Sequence, residues 1–430
     1  MSKYFSIGLT LAIILVFGFT LFNNVLNAPT FDDYNTTLDF IRRFYFENNT
    51  FTGKVSEIFN RHNEHRILIS KAAAAVYYGL FHYINFAHLI LFQNLFLCGF
   101  FVLMLALAKQ QKQLVSETVL IITTFLASLS FWQVTFYYWG GIQHYTVFFF
   151  SFLSLFLLNK TSERPDGNFL ASVFAAVLAV LSFGNGFIVL FLGTFLLFAQ
   201  KKRLLLFIWG TLSLVLLVIT FLPRPEIGAT AHSAFNFGWM ARLLFTFLGS
   251  FIYVNPPAGV NVNIILCMVT GLAVAVCWLW LFLKGYAFKN PLLYCLLSFP
   301  VLTGIIISIS RFETKAAGGI APRYMFFTAS IPLFLLLIFL DMKIIKKSHL
   351  KLIAASGVLI WGISFHNNLA ALKNMNKEQI ATIMKWKTNP ATPLIYYREA
   401  KTYSDIMSWA VAHHVVKLPV AENYPIDKSW

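Results

Sequence analysis

The sequence predicts an all-α fold: a polytopic transmembrane helix bundle of about eleven spans, with interfacial helices in its outer loops. Three observations carry this. Of 430 residues, 58% are hydrophobic and only 12% are charged, whereas soluble domains carry about 25% charged residues. Uncharged apolar runs recur along the whole chain, long enough to cross a hydrocarbon core of ~30 Å. Lysines and arginines gather in the short connections between those runs.

The first run, Tyr4 to Phe22, follows a lone Lys3. It is long for the apolar core of a signal peptide, so it reads as an anchor that stays in place. The expected spans are 4–22, 86–108, 115–133, 143–158, 169–184, 186–199, 204–222, 263–283, 291–309, 324–340 and 352–370. The pair 169–184 and 186–199 is short and hinged at "SFGNGF", where a tight turn accounts for Asn185 between glycines.

Charge orients the bundle. With the N-terminus inside, the inner connections contain "KQQKQ", "NKTSERPDGN", "QKKR", "KGYAFKN" and "DMKIIKKSHLK". Each carries at least two Lys or Arg, as the positive-inside rule expects. Segments 23–85, 223–262 and 310–323 then lie outside, with the tail after residue 370. The organisation is a transmembrane domain over 1–370 and an extracytoplasmic tail over 371–430. The apolar stretch Trp239–Val254 must stay outside by parity, so it reads as an interfacial helix with Arg242 reaching water.

Several function classes drop out. The net charge of +16 serves topology, so no nucleic-acid partner is expected. Cys98, Cys267, Cys277 and Cys295 fall inside apolar runs and give no disulfide framework or zinc spacing. No Asp, Glu, Lys or Arg sits mid-span, which counts against an ion-coupled carrier. No internal repeat marks a solenoid. The chemistry moves to the outer face.

The first outer loop holds six of the 17 acidic residues: Asp32, Asp33, Asp39, Glu47, Glu57 and Glu64. Tyr34, Leu38, Ile41 and Tyr45 follow the spacing of an amphipathic helix. Asp32 or Asp33 then reads as its N-cap, or as a general base whose proton affinity is raised by its neighbour. The loop ends in "NRHNEHRILISK", with His62, Glu64, His65 and Arg66 close together. Three readings stand: solvated charges near headgroups, a metal site, or an anion-binding and acid–base cluster with Arg66 as a planar fork for phosphate. The spacing is neither H-E-x-x-H nor H-x-x-E-H, which disfavours a zinc peptidase.

The third outer loop, "SRFETKAAGGIAPRYMFF", sets Arg311, Lys315 and Arg323 around a Gly-Gly pair on the side where few positives are expected. Arg323 and Tyr324 open a span, where a lipid phosphate would lie or where Arg323 would snorkel as an anchor. "YYWGGIQHY" places Trp139, Gln143 and His144 at an outer turn, which reads foremost as an aromatic belt. The role of His232 is unreadable. The tail, with eight basic and five acidic residues and Trp386, Tyr396, Tyr397 and Trp409, is expected to cap the outer face as a small helical element.

An apolar first span, an acidic outer loop, helices on the membrane and about ten further spans resemble the glycosyltransferase C superfamily. The motifs that carry the resemblance are "FDDY", "HNEHRI" and "PRY"; the "NEHRI" string is similar to one in bacterial membrane proteins of this type. The resemblance implies a polyprenyl-phosphate sugar donor and transfer with inversion to a hydroxyl of a glycan, lipid or protein. It places the site on the extracytoplasmic face of a bacterial inner membrane. Asp32 or Asp33 matches the catalytic carboxylate of the first loop, and Arg323 the basic residue assigned to the lipid phosphate. His62, Glu64, His65 and Arg66 would line the same cavity, with Lys315 and Tyr324 beside Arg323. No cofactor is implied; some relatives carry a spaced acidic pair with a metal, and the adjacent pair here leaves metal dependence open. Two other classes stay in view: a transporter or flippase of a lipid-linked saccharide, and a non-enzymatic scaffold of an envelope-polymer assembly.

Overall fold

The computed structural model describes residues 3–48, 50–62, 66–221, 236–311, 321–395 and 399–417. Of the residues singled out above, Glu64, His65, His232, Lys315, Tyr396 and Tyr397 lie outside the described residues. Among the described residues the chain is helical throughout, with no strand. Eight stretches are long and apolar enough to cross a membrane, as an integral membrane protein requires.

Helix α1, Lys3–Asn24, shows why. Leu11, Leu15, Phe19 and Phe22 are exposed along one face, while Ser6, Thr10, Ile13 and Thr20 are buried on the other. Leucine and phenylalanine facing outward and small polar residues facing the protein is the membrane pattern. The chain then forms two turns wound with i→i+5 bonds, Tyr34–Asp39 and Arg42–Glu47, before α2 (Phe51–Phe59) and α3 (Leu68–Phe81). Tyr34, Leu38 and Ile41 are buried as their spacing predicts.

Helix α4 spans Phe86–Gln110. The expected span 115–133 is not one helix. Helix α5, Ser116–Leu126, has 11 residues, about 16 Å of rise. The backbone then breaks, re-forms as α6 (Trp132–Phe136) and turns into α7 (Tyr138–Lys160). Buried carbonyls freed by such a break need donors. Gln93 Nε2 donates to Val134 O at 2.9 Å and Tyr137 O at 3.2 Å. Asn94 Nδ2 donates to Thr135 O at 2.9 Å.

Helices α8 (Gly167–Ser182) and α9 (Ile188–Ala199) form the expected short hairpin. A Cβ on Gly186 would lie 2.0 Å from the Ala179 carbonyl oxygen, so the hinge closes only on glycine. After α10 (Arg203–Phe221) come α11 (Phe237–Leu248) and α12 (Val260–Leu283). The expectation that α11 lies on the interface meets a close helix crossing instead. Gly249, at its end, backs onto Gly271 in the middle of α12; a Cβ on Gly271 would sit 1.8 Å from Phe245 O. The C-terminal end of α11 is therefore wedged into the bundle.

The remaining helices are α13 (Tyr286–Lys289), α14 (Pro291–Arg311), α15 (Pro322–Thr328), α16 (Ile331–Asp341), α17 (Leu350–Thr388) and α18 (Ala400–Ala412). Helix α17 runs 39 residues without interruption, about 58 Å. The expected boundary between residues 370 and 371 falls inside it. The helix continues because Leu372, Ile380, Ile383 and Trp386 keep burying one face, in the apolar core that also holds Leu21, Tyr34, Ile41 and Tyr403.

The connections sort into two ends. At the basic end, Tyr286 Oη donates to Asp341 Oδ2 at 2.7 Å, Asn290 to Gln111 Oε1, Gln200 to Asn159 Oδ1 and Lys202 to Thr161 O. At the opposite end the first loop, the start of α7 and the tail share one apolar core. There Tyr137 Oη donates to Asn376 Oδ1 at 3.0 Å, Asn376 Nδ2 to Asn24 O at 2.8 Å, and Tyr138 Oη to Ser70 O at 2.8 Å. Helix α18 docks on the first loop, with Asn35 Nδ2 donating to Tyr403 Oη at 2.9 Å. The grouping of basic connections at one end is the one that charge predicts.

Candidate functional site at the first-loop end

The chain leaves α1 and turns sharply at Thr30–Asp33. Asp33 N donates to Thr30 O at 2.9 Å, while Thr30 N and Thr30 Oγ1 both donate to Asp33 Oδ2 at 3.0 Å. Neither aspartate side chain caps the helix that follows. The start of that helix is held by Asp32 O, which accepts from Thr36 N at 2.8 Å and Thr36 Oγ1 at 2.8 Å. The N-cap reading is corrected here, because Asp33 reaches backward along the chain rather than forward.

The two carboxyls differ in surroundings. Asp33 is fully buried, with Oδ1 lacking a partner. Burial raises its proton affinity well above the usual carboxylate range. The donors of Thr30 act the other way, the charge of Asp32 adds to the rise, and the backbone N–H of Trp139 lowers it slightly. Burial, then the charge of Asp33, pushes the Tyr34 phenol up. Asp32 is half-buried. Between Thr30 and Asp32, Phe31 holds φ +46°, a left-handed conformation that bulky residues rarely adopt.

The other acids of the loop are engaged. Arg42 pairs with Asp39 at 2.6 Å and Glu47 at 3.2 Å, and Arg43 with Asp39 at 3.3 Å and Glu57 at 3.1 Å. Beneath them Lys71 is buried, its Nζ donating to Glu57 O at 2.8 Å and Asn60 O at 2.9 Å. Burial lowers the Lys71 ammonium to about 8, with Glu57 opposing and Arg43 assisting.

Aromatic rings tie the turn to the "PRY" segment. The Phe31 ring lies 5.3 Å from Trp139, and the Arg323 guanidinium lies 5.6 Å from the Trp139 centroid and 4.9 Å from that of Tyr324. His144, one turn and a half further along α7, lies 6.2 Å from Tyr324 and 5.0 Å from Phe327. The indole N–H of Trp139 is buried without a partner among the described residues, a state that calls for water or a polar ligand.

The turn that carries Asp32 and Asp33 is thus linked to Arg323 and Tyr324 through Trp139, on which Phe31 and Arg323 both pack. Arg66 does not join them by any hydrogen bond or ion pair among the described residues. Its Nη1 donates to Phe59 O at 2.7 Å and its Nη2 to Ile219 O at 3.3 Å, while Arg61 donates to Thr220 O. The two Nη groups of the fork expected for phosphate are taken by carbonyls at the end of α2 and near the end of α10, where a cation suits the helix dipole. His62 is half-buried on the same stretch. Among the described residues no three His, Cys, Asp or Glu side chains gather as a metal ion requires. Phe31 and Thr30 carry no motif. Trp139 has the signal of an aromatic at a helix start, which matches a membrane belt equally well.

Comparison with protein-family models, curated proteins and solved structures found no match for this chain.

Proposed function

We propose that the chain is a membrane glycosyltransferase of about eleven crossings, counting the short helices α5, α8 and α9, in a bacterial inner membrane. It moves a sugar from a polyprenyl-phosphate donor to a glycan, lipid or protein hydroxyl on the extracytoplasmic face. The observation that carries this reading is that Phe31 and Arg323 both pack on Trp139, which links a cation to the carboxylate turn at the first-loop end.

The chemistry needs both. A carboxylate of the turn accepts the proton of the acceptor hydroxyl as its oxygen attacks the anomeric carbon. The bond from that carbon to the phosphate oxygen breaks with inversion, and the electron pair leaves on the phosphate. Arg323 faces the charge that grows there. Trp139 and Tyr324 hold the guanidinium plane, and the orphaned indole N–H is a second donor for an anionic or hydroxylated group. The proton passes from the carboxylate to water after transfer.

The test is turnover of polyprenyl-phosphate mannose, glucose and arabinose by the purified chain in lipid vesicles, read as release of polyprenyl phosphate. Release should be lost in the double variant Asp32→Asn/Asp33→Asn with insertion unchanged. Donor crossing the bilayer without release would overturn the reading in favour of a flippase.

A further inference from the structure

The two aspartates sit side by side in sequence and in opposite settings in space. Resting on the transferase reading above, we propose that they divide the work. Asp32 meets the reacting hydroxyl, and Asp33 is a positioning residue whose carboxyl, tied to Thr30, fixes the left-handed turn at Phe31 that presents Asp32.

The hydrogen bonds show how the turn is held. Asp33 Oδ2 takes two donors from Thr30, and Asp33 N returns a bond to Thr30 O. These three bonds close a loop of four residues with Phe31 and Asp32 at its tip. Phe31 at the tip of this loop holds a positive φ of 46°, and a phenylalanine keeps that conformation only where its surroundings over-determine it. Tyr137 and Trp139 do so, with ring centroids 6.4 Å and 5.3 Å from Phe31. Because Phe31 and Arg323 both pack on the Trp139 indole, the turn that bears Asp32 is anchored to the same ring as the guanidinium.

Asp33 itself cannot meet an acceptor hydroxyl. It is fully buried, with the two Thr30 donors on its Oδ2. The titratable groups that interact electrostatically with it are Asp32, Tyr34 and Tyr138, and no salt bridge reaches it among the described residues. Burial raises the proton affinity of a carboxyl so placed, whereas Asp32 at the tip of the turn is only half-buried.

Three variants separate the roles. Asp33→Ala removes the acceptor for Thr30, and should lower the melting temperature and the rate of donor release with the donor KM little changed. Asp33→Asn keeps an acceptor for Thr30 but cannot work as a base, and should restore both. Asp32→Asn should keep the melting temperature and lose release by about a hundredfold or more, the scale of general-base catalysis. Infrared spectra followed against pH should show one carboxyl titrating above the usual carboxylate range, present in Asp32→Asn and missing from both Asp33 variants. Loss of release in Asp33→Asn with melting restored would overturn the proposal, as would spectra in which every carboxyl titrates in the ordinary range. If the wild type releases no polyprenyl phosphate from any donor, the transferase reading fails and the role of Asp32 fails with it; melting and infrared data still decide the role of Asp33.

Discussion

The guanidinium of Arg323 lies 5.6 Å from the centre of the Trp139 ring, joining two helix starts that are far apart in sequence. The same indole packs on Phe31, the residue before Asp32. A planar cation over an aromatic face gains both cation–π attraction and a fixed orientation. Arg323→Lys keeps the charge and loses the plane and the fork. It should weaken donor binding about tenfold, equivalent to ~1.4 kcal/mol, with the melting temperature unchanged. Titration of donor lipid against tryptophan fluorescence measures it, and an unchanged affinity would show that the stack does not hold the donor.

Lys71 makes stability depend on pH in a defined window. Its folded pKa is lowered from 10.5 to about 8, by burial first. Below about 8 the ammonium is charged in folded and unfolded chains alike, and its burial cost is present in full. Between about 8 and 10.5 the folded chain gives up the proton while the unfolded chain keeps it. The unfolded state then binds more protons, so stability rises with pH across that window. Melting temperature in detergent should climb more steeply over this range in the wild type than in Lys71→Met; equal slopes would rule the effect out.

Much of this architecture can be read directly from the chain, and the limits have physical causes. The long spans are legible because a helix that crosses lipid needs an unbroken apolar run, and the two ends of the bundle are told apart because lysines gather at one of them. The break after Leu126 is not legible, since "ASLSFW" stays apolar and its donors, Gln93 and Asn94, sit on another helix. The hydrogen bonds of Arg66 are not legible for a related reason. Its partners are the backbone carbonyls of Phe59 and Ile219, and carbonyls carry no residue-type signal. The acidic pair is visible in "FDDY". Its division into a buried and a half-buried carboxyl depends on Tyr34, Tyr138 and Trp139, which only the fold brings together.

Gly271 is a packing requirement. An added Cβ would meet Phe245 O at 1.8 Å and Gly249 N at 2.9 Å, both backbone atoms that cannot rotate away. Gly271→Ala should therefore push α11 from α12 and destabilise by about 1–3 kcal/mol, the usual cost of overpacking. Gly210, with nothing within 4 Å of its Cβ position, supplies the control: Gly210→Ala should melt with the wild type. Equal melting of both variants would refute the close crossing.

Gln93 and Asn94 hold the stage on which Trp139 stands. Their side-chain amides donate to the carbonyls of Val134, Thr135 and Tyr137, all within the broken segment that leads into α7. Gln93→Leu or Asn94→Leu leaves those buried oxygens without donors, at about 1–3 kcal/mol each. Both residues support one segment, so the double variant should cost less than the sum of the singles. The segment also sets where Tyr137 and Trp139 meet Phe31. Each single variant should therefore lower donor release more than its loss of stability accounts for at a temperature where the protein remains folded. Release that merely tracks the folded fraction would separate the broken segment from the site.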